Sequence, residues 1–312
     1  MRLSCQHGNE ADRRPKMTTS LARRRYGIAL VTLSAVLWST AGLFVRMADL
    51  DAWTVLGWRS LFSTLFLGGL WLVRARGSAW HMLRNVGTHH LLSALVGLVS
   101  TVSYVFALKL TTVANVMTIY ATLPFFATAV AFAVLGERVT GRVLIAAGCS
   151  LVGIGIMAGS ANTQDLLGIG AALLMTVGFA AQIVHTKCHP GLDMTFVIAL
   201  TAAACGLVSL PFMSHAIPTG FQFGTLALFG ILTTGLAYVL VLDGSRFVSS
   251  GETGFLSLLD VVLGPFWVWL FFAEQPGSNV LLGGALVVAT LGWYFSDGLR
   301  SSTAQTAGAR AK

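Results

Sequence analysis

LLDVVLGPFWVWLFFAEQP, Leu258 to Pro276, decides which solvent surrounds this chain. The run is almost wholly apolar, yet it holds an acid at Asp260 and a helix breaker at Pro265, and it stops abruptly at Glu274. A helix needs about 20 such residues to cross a bilayer. A carboxylate at mid-span costs about 2.5–3.5 kcal/mol on insertion scales, so it has to face a bundle interior or a cavity. Steps of three and four place Thr253, Ser257, Asp260 and Gly264 on one helical stripe. A polar, small-residue stripe of that kind reads as a cavity wall.

The rest of the chain agrees with a lipid solvent. Of 312 residues, 55% are hydrophobic and only 10% charged, where a soluble domain carries about 25% charged residues. The mean hydropathy is +0.76. The 34 glycines suit close helix packing in a bilayer. The net charge of +8 is spread over the chain start and the gaps between apolar runs, a topology signal rather than a nucleic-acid patch. The cysteines Cys5, Cys149, Cys188 and Cys205 show no CxxC spacing, which supports neither a disulfide framework nor a zinc site.

Ten segments are long and apolar enough to span, near 26–48, 53–73, 90–108, 112–136, 142–159, 166–186, 192–213, 224–243, 250–273 and 279–297. Their length and lack of alternation exclude barrel strands. Residues 1–25 read as a disordered cytoplasmic tail without a cleavable leader, with Met17 an alternative start, and 299–312 as a second cytoplasmic tail. With both ends inside, 17 of the 20 Lys and Arg fall on the cytoplasmic side, as the positive-inside rule requires. The chain is therefore expected in a bacterial inner or plasma membrane.

The segment that opened the reading has a partner. TLPFFATAVAFAVLGER, residues 122–138, aligns with it at an offset of 137, matching Lys109 to Arg246 and Glu137 to Glu274. At an offset of 141, Gly27 meets Gly168, Trp38 meets Phe179 and Arg46 meets Lys187. Two blocks in the same order at nearly one offset divide the chain into repeats at 26–160 and 161–298. Each repeat has five helices, an odd number, so the second enters the membrane from the opposite face. The expected fold is all-α integral membrane, ten transmembrane helices as two inverted five-helix repeats, the architecture of alternating access around a central site. Pro124 and Pro265 are expected to kink their spans.

Several motifs add a resemblance. LSAVLWSTAGLFVR opens the first span with Ser39 where a glycine is usual, VLGWRSLFSTLF brings Arg59 into the second, and YVFALKLTTVANVMTIYATLPFFATAVAFAVLGE covers the third and fourth. On these the chain resembles the drug/metabolite transporter superfamily, in particular its EamA-type ten-helix members. The second copy is looser, with Asp260 where the family often has Glu and Val261 where it often has Pro. The resemblance implies export of small metabolites, such as amino acids or related compounds, by a site between the two halves.

Eight residues are the candidate substrate-binding set: Trp38, Arg59, Tyr104, Asn115, Phe179, Gln182, Tyr238 and Asp260. The aromatic and amide members suit an amphipathic ligand, with packing or lipid contact as the plainer reading of each. Asp260 reads as a site for substrate or a coupling proton, or as a structural acid. Arg59 suits a clamp on a substrate carboxylate or, by its position near a span end, an interfacial anchor; pairing with Asp260 is a third reading. Glu137 and Glu274 read as charges that cap or join helices. Asn115, Thr118 and Thr122 form a polar stripe. His89, His90, His185 and His189 read as solvated end residues rather than metal ligands, because no third ligand stands nearby in sequence.

No cofactor or metal is expected, and no enzyme: the chain lacks GxxxxGK[ST], GxSxG and HExxH. The expected activity is secondary transport of a small molecule across the bilayer. A metabolite importer, a multidrug exporter and a non-transporting scaffold are the alternatives.

Overall fold

The structure, a computed structural model, describes residues 17–75, 84, 86–136, 141–159, 162–189, 191–248 and 250–310. The helices are α1 (Met17–Ser39), α2 (Ala41–Ala48), α3 (Ala52–Ala75), α4 (Thr88–Leu110), α5 (Val113–Tyr120), α6 (Leu123–Leu135) and α7 (Gly141–Ala158). They continue as α8 (Thr163–Cys188), α9 (Met194–Ser209), α10 (Gly220–Leu228), α11 (Ala237–Gly244), α12 (Ser250–Phe272) and α13 (Ser278–Arg310). A 3₁₀ turn, Leu210–Phe212, extends α9, and a π-helical stretch, Phe229–Leu236, joins α10 to α11. No strand occurs among the described residues.

Seven helical stretches among the described residues have the length and hydropathy to cross a membrane: Ala22–Ala48, Ala52–Ala75, Thr88–Leu110, Gly141–Ala158, Thr163–Thr186, Met194–Phe212 and Gly220–Gly244. Helices α5 and α6 pass the same test jointly, bent by 42°. Leu259–Phe272 and Ser278–Tyr294 are shorter apolar helices. The outer surface carries Leu65, Val73, Val134, Leu144 and Leu207, all more than half exposed. Apolar exposure on this scale belongs to a multi-pass membrane protein, whose outer solvent is lipid.

Inside, the pattern reverses. Ser34, Ser63, Ser93, Thr176 and Ser209 are fully buried. Small residues let helices approach, and some of their hydroxyls bond across the contact. Ser34 donates to the Ala237 carbonyl (2.8 Å) and Ser100 to that of Met175 (2.9 Å). Gly153 on α7 and Gly283 on α13 lie so close that a Cβ on either would meet the other's carbonyl oxygen. Most of the large contacts pair early helices with late ones: α3 with α9, α4 with α8, α7 with α13, and α1 with α11 and α12.

Several element bounds and breaks can be set beside the expectations. The span at 112–136 bends by 42° at a break between α5 and α6, beside Pro124, where a kink is expected. Pro124 offers no N–H to the Tyr120 carbonyl, and the Thr122 hydroxyl closes the turn on the Ile119 carbonyl instead (2.6 Å). By contrast, α12 runs unbroken through Pro265. Helix α1 begins at Met17, inside the expected tail, whose residues 1–16 lie outside the described residues. Helix α13 runs on to Arg310, where a tail is expected from 299. Glu137 lies outside the described residues, as do the side chains of Lys187 and Glu252.

Candidate functional site

One cavity of about 160 Å³ lies among α1, α3, α4, α5, α8, α9, the π-helical stretch, α11 and α12. Trp38, Arg59, Tyr104, Phe179, Gln182, Tyr238 and Asp260 all line it. Seven of the eight candidates, scattered over two hundred residues of sequence, thus converge on one space. Local helix geometry explains how. On α4, Gly97, Ser100, Thr101 and Tyr104 follow each other at steps of three and four, and on α8 Met175, Phe179 and Gln182 do the same.

The two charges face this space without meeting. Arg59 is 5% exposed and Asp260 6%. Arg59 therefore does not snorkel to an interface, and the anchor reading is corrected: its guanidinium lies over the Phe229 ring at 4.8 Å. Its Nε has no hydrogen-bond partner, and neither has Asp260 Oδ1. No ion pair joins the two residues. Two buried polar atoms of opposite charge, each unsatisfied, are costly unless a ligand or water completes them.

Aromatic rings supply the remaining walls. Trp38 meets Tyr238 edge to face at 5.9 Å, and Tyr120 meets Phe179 at 6.1 Å. Gln182 reaches the Ser93 carbonyl at 3.4 Å, a long bond that leaves its amide oxygen available. Thr233 and Thr234 line the cavity from the π-helical stretch, a feature frequent at functional sites. These threonines, Ser100 and Thr101 were absent from the candidate set. The adjacent pair Thr233-Thr234 beside Gly235 in an apolar span was the one sequence signal that pointed to them.

Asn115 is the candidate that does not line the cavity. It is buried, and its amide donates to Thr111 Oγ1 (2.8 Å), which in turn donates to Asp165 (3.0 Å). The stripe it belongs to serves helix contacts: Thr118 lies under Gly284 and Thr122 closes its own turn.

Beyond Asn115 stands an ionic cluster. Arg46 at the end of α2 pairs with Glu274 at 2.9 Å and donates to the Leu108 and Thr111 carbonyls. Glu274 also accepts the backbone N–H of Val113 (3.0 Å), at the open N-terminus of α5. Glu274 and Arg46 together tie the ends of α2, α4 and α5 to the segment after α12. Ser39, which replaces a usual glycine, accepts the indole N–H of Trp267 at 2.9 Å.

The histidines are not the separate end residues their spacing suggests. His89 at the start of α4 stacks on His189 (centroids 3.8 Å), and His185 stands 4.5 Å from His189. The missing third side chain comes from another helix. His90 instead caps α4 through the Gly87 N–H.

Comparison with known proteins places this geometry in context. The sequence profile of the EamA-like transporter family matches residues 25–159 and again 163–295. A protein of Archaeoglobus fulgidus named "Uncharacterized transporter" is 27% identical over 272 residues, covering 85% of this chain and 94% of its own length. A "Riboflavin transporter" of Rhizobium johnstonii is 27% identical over 277 residues, covering 84% and 86%. A solved structure described as "Crystal structure of protein" superposes with a TM-score of 0.60 at 20% identity, over 85% of this chain and 95% of that one. That likeness concerns the fold alone.

Proposed function

The chain belongs to the EamA-like transporter family, and from that premise we propose that it exports a small amphoteric metabolite, an amino acid or a close relative, by alternating access. The carrying observation is the pair of unsatisfied charges across one cavity, Arg59 and Asp260. Arg59 takes the substrate carboxylate, for which a guanidinium fork is suited. Asp260 and the faces of Trp38 and Tyr238 take the ammonium group. Asp260 is also the acid that exchanges a proton with the substrate cycle, since an intramembrane carboxylate facing a cavity is the usual relay. A cavity of about 160 Å³ suits a compact solute.

The broken pair α5–α6 and the shorter apolar helices α12 and α13 each cross once, which brings the spans to ten, with both termini cytoplasmic. Two observations support inverted halves. The helix pairings map onto themselves when each span is exchanged for its counterpart five further on: the α4–α8 contact corresponds to α1 against α11, and α6–α8 to α1–α12. The same holds between residues. Gly27 packs on Val248, and its counterpart Gly168 packs on Thr111, the counterpart of Val248 at the offset of 137. In this scheme the Arg46–Glu274 cluster closes one end of the cavity.

A second reading has its own support. Five aromatic side chains, Trp38, Tyr104, Tyr120, Phe179 and Tyr238, line the cavity, and one relative bears the name of a riboflavin transporter. A flat heterocycle would stack on these rings after the walls part. Flux into proteoliposomes, screened with labelled amino acids, other small metabolites and riboflavin, tests both readings. Saturable counterflow of a zwitterion, weakened at least about tenfold but still measurable in Arg59→Gln, is the expected result. Flux of riboflavin alone would select the second reading, and flux of no compound by folded protein would overturn both.

A further inference from the structure

We propose that His89, His185 and His189 form a binding site for a divalent transition-metal ion, Zn²⁺ first among them, at the end of the α4–α8 contact. One nitrogen from each ring lies within 4.8 Å of one from each of the others. A tetrahedral zinc with Zn–N bonds of about 2.0–2.1 Å holds its nitrogens about 3.4 Å apart. Closing that difference takes a small ring movement, and His89 is exposed and free to make it.

Backbone bonds already prepare two of the rings. His185 Nε2 lies 3.2 Å from the His89 carbonyl and His189 Nδ1 lies 3.0 Å from the His185 carbonyl. A carbonyl only accepts, so these two nitrogens carry the protons. The lone pairs then sit on His185 Nδ1 and His189 Nε2. An imidazole whose far N–H is fixed by a carbonyl is the usual state of a metal-bound histidine, and the fixed ring is the more basic ligand. Neutral nitrogen donors without carboxylate select zinc, copper or nickel over magnesium or calcium. Water completes the fourth position.

His185 lies in the last turn of α8 and His189 is the residue that caps its C-terminus, and His89 joins them from the first turn of α4. An ion there pins the two helices one turn from Gln182, which lines the cavity.

The test uses the full chain, purified in detergent with an affinity tag that lacks histidine. Calorimetry with Zn²⁺ and the visible spectrum with Co²⁺ read the same site. The expected result is one ion per chain, an intense tetrahedral Co²⁺ band, and a rise in Tm on adding Zn²⁺. His89→Gln and His189→Gln each weaken binding at least about tenfold and remove the Tm rise. His89 is exposed, so the His89→Gln protein keeps the wild-type Tm without metal. Absence of saturable Zn²⁺ binding overturns the site. So does binding that both variants retain at full strength, because the ion is then held elsewhere.

Discussion

Asp260 and Arg59 show how a single side chain is read differently once its neighbours are known. Expense alone marked Asp260: an acid in a greasy helix needs a reason. The same logic left Arg59 open between clamp and anchor, because depth along a helix says nothing about which way the residue faces. The structure turns it inward over Phe229. In transport assays Arg59→Lys is expected to lower flux at least about tenfold, since an ammonium does not reproduce the bidentate fork. Asp260→Asn is expected to keep the fold while removing the response of flux to a transmembrane pH gradient. Ser39 is a case of a substitution with a visible partner. Replacing it by Ala leaves the Trp267 N–H unsatisfied, and the expected loss is about 1–3 kcal/mol, read as a lower Tm in detergent.

Elements were legible where one physical rule dominates. Hydropathy picks out the seven membrane-length helices and the bent pair α5–α6, and the break beside Pro124 fits its missing N–H. Helix α12 stays continuous through Pro265, as a helix can when its neighbours re-satisfy the freed backbone groups. Asn115 was misplaced. Periodicity finds a polar stripe but not what it faces, and this stripe is spent on Thr111 and on helix packing. The three histidines do not read as one set in the sequence, because their meeting requires α4 to lie against α8. At this scale the Glu274 cluster is testable. Glu274→Ala removes both the ion pair to Arg46 and the acceptor for Val113; Glu274→Gln keeps an acceptor. Thermal unfolding is expected to show a larger Tm drop for Ala than for Gln. Equal drops would mean that the N-terminus of α5 draws nothing from this contact.

At the scale of the molecule, the early helices pack on the late ones, and the cavity lies where the two repeats meet. That meeting explains why seven candidates from distant stretches line one space: the contact of the two halves brings helices of both onto one cavity. Lys and Arg placement is the basis of the proposed orientation, under which reporter fusions after residues 48, 110 and 158 are expected outside and those after 75 and 136 inside. A reversed pattern would refute the assigned topology. The central claim is that Arg59 and Asp260 hold opposite ends of one amphoteric substrate. Its most direct measurement is competition for flux in proteoliposomes by the transported amino acid, its amide and its deaminated acid, in wild type, Arg59→Gln and Asp260→Asn. The account predicts that wild type rejects both analogues, that Arg59→Gln loses its preference against the amide, and that Asp260→Asn loses its preference against the deaminated acid. Wild-type selectivity retained in both variants would contradict it.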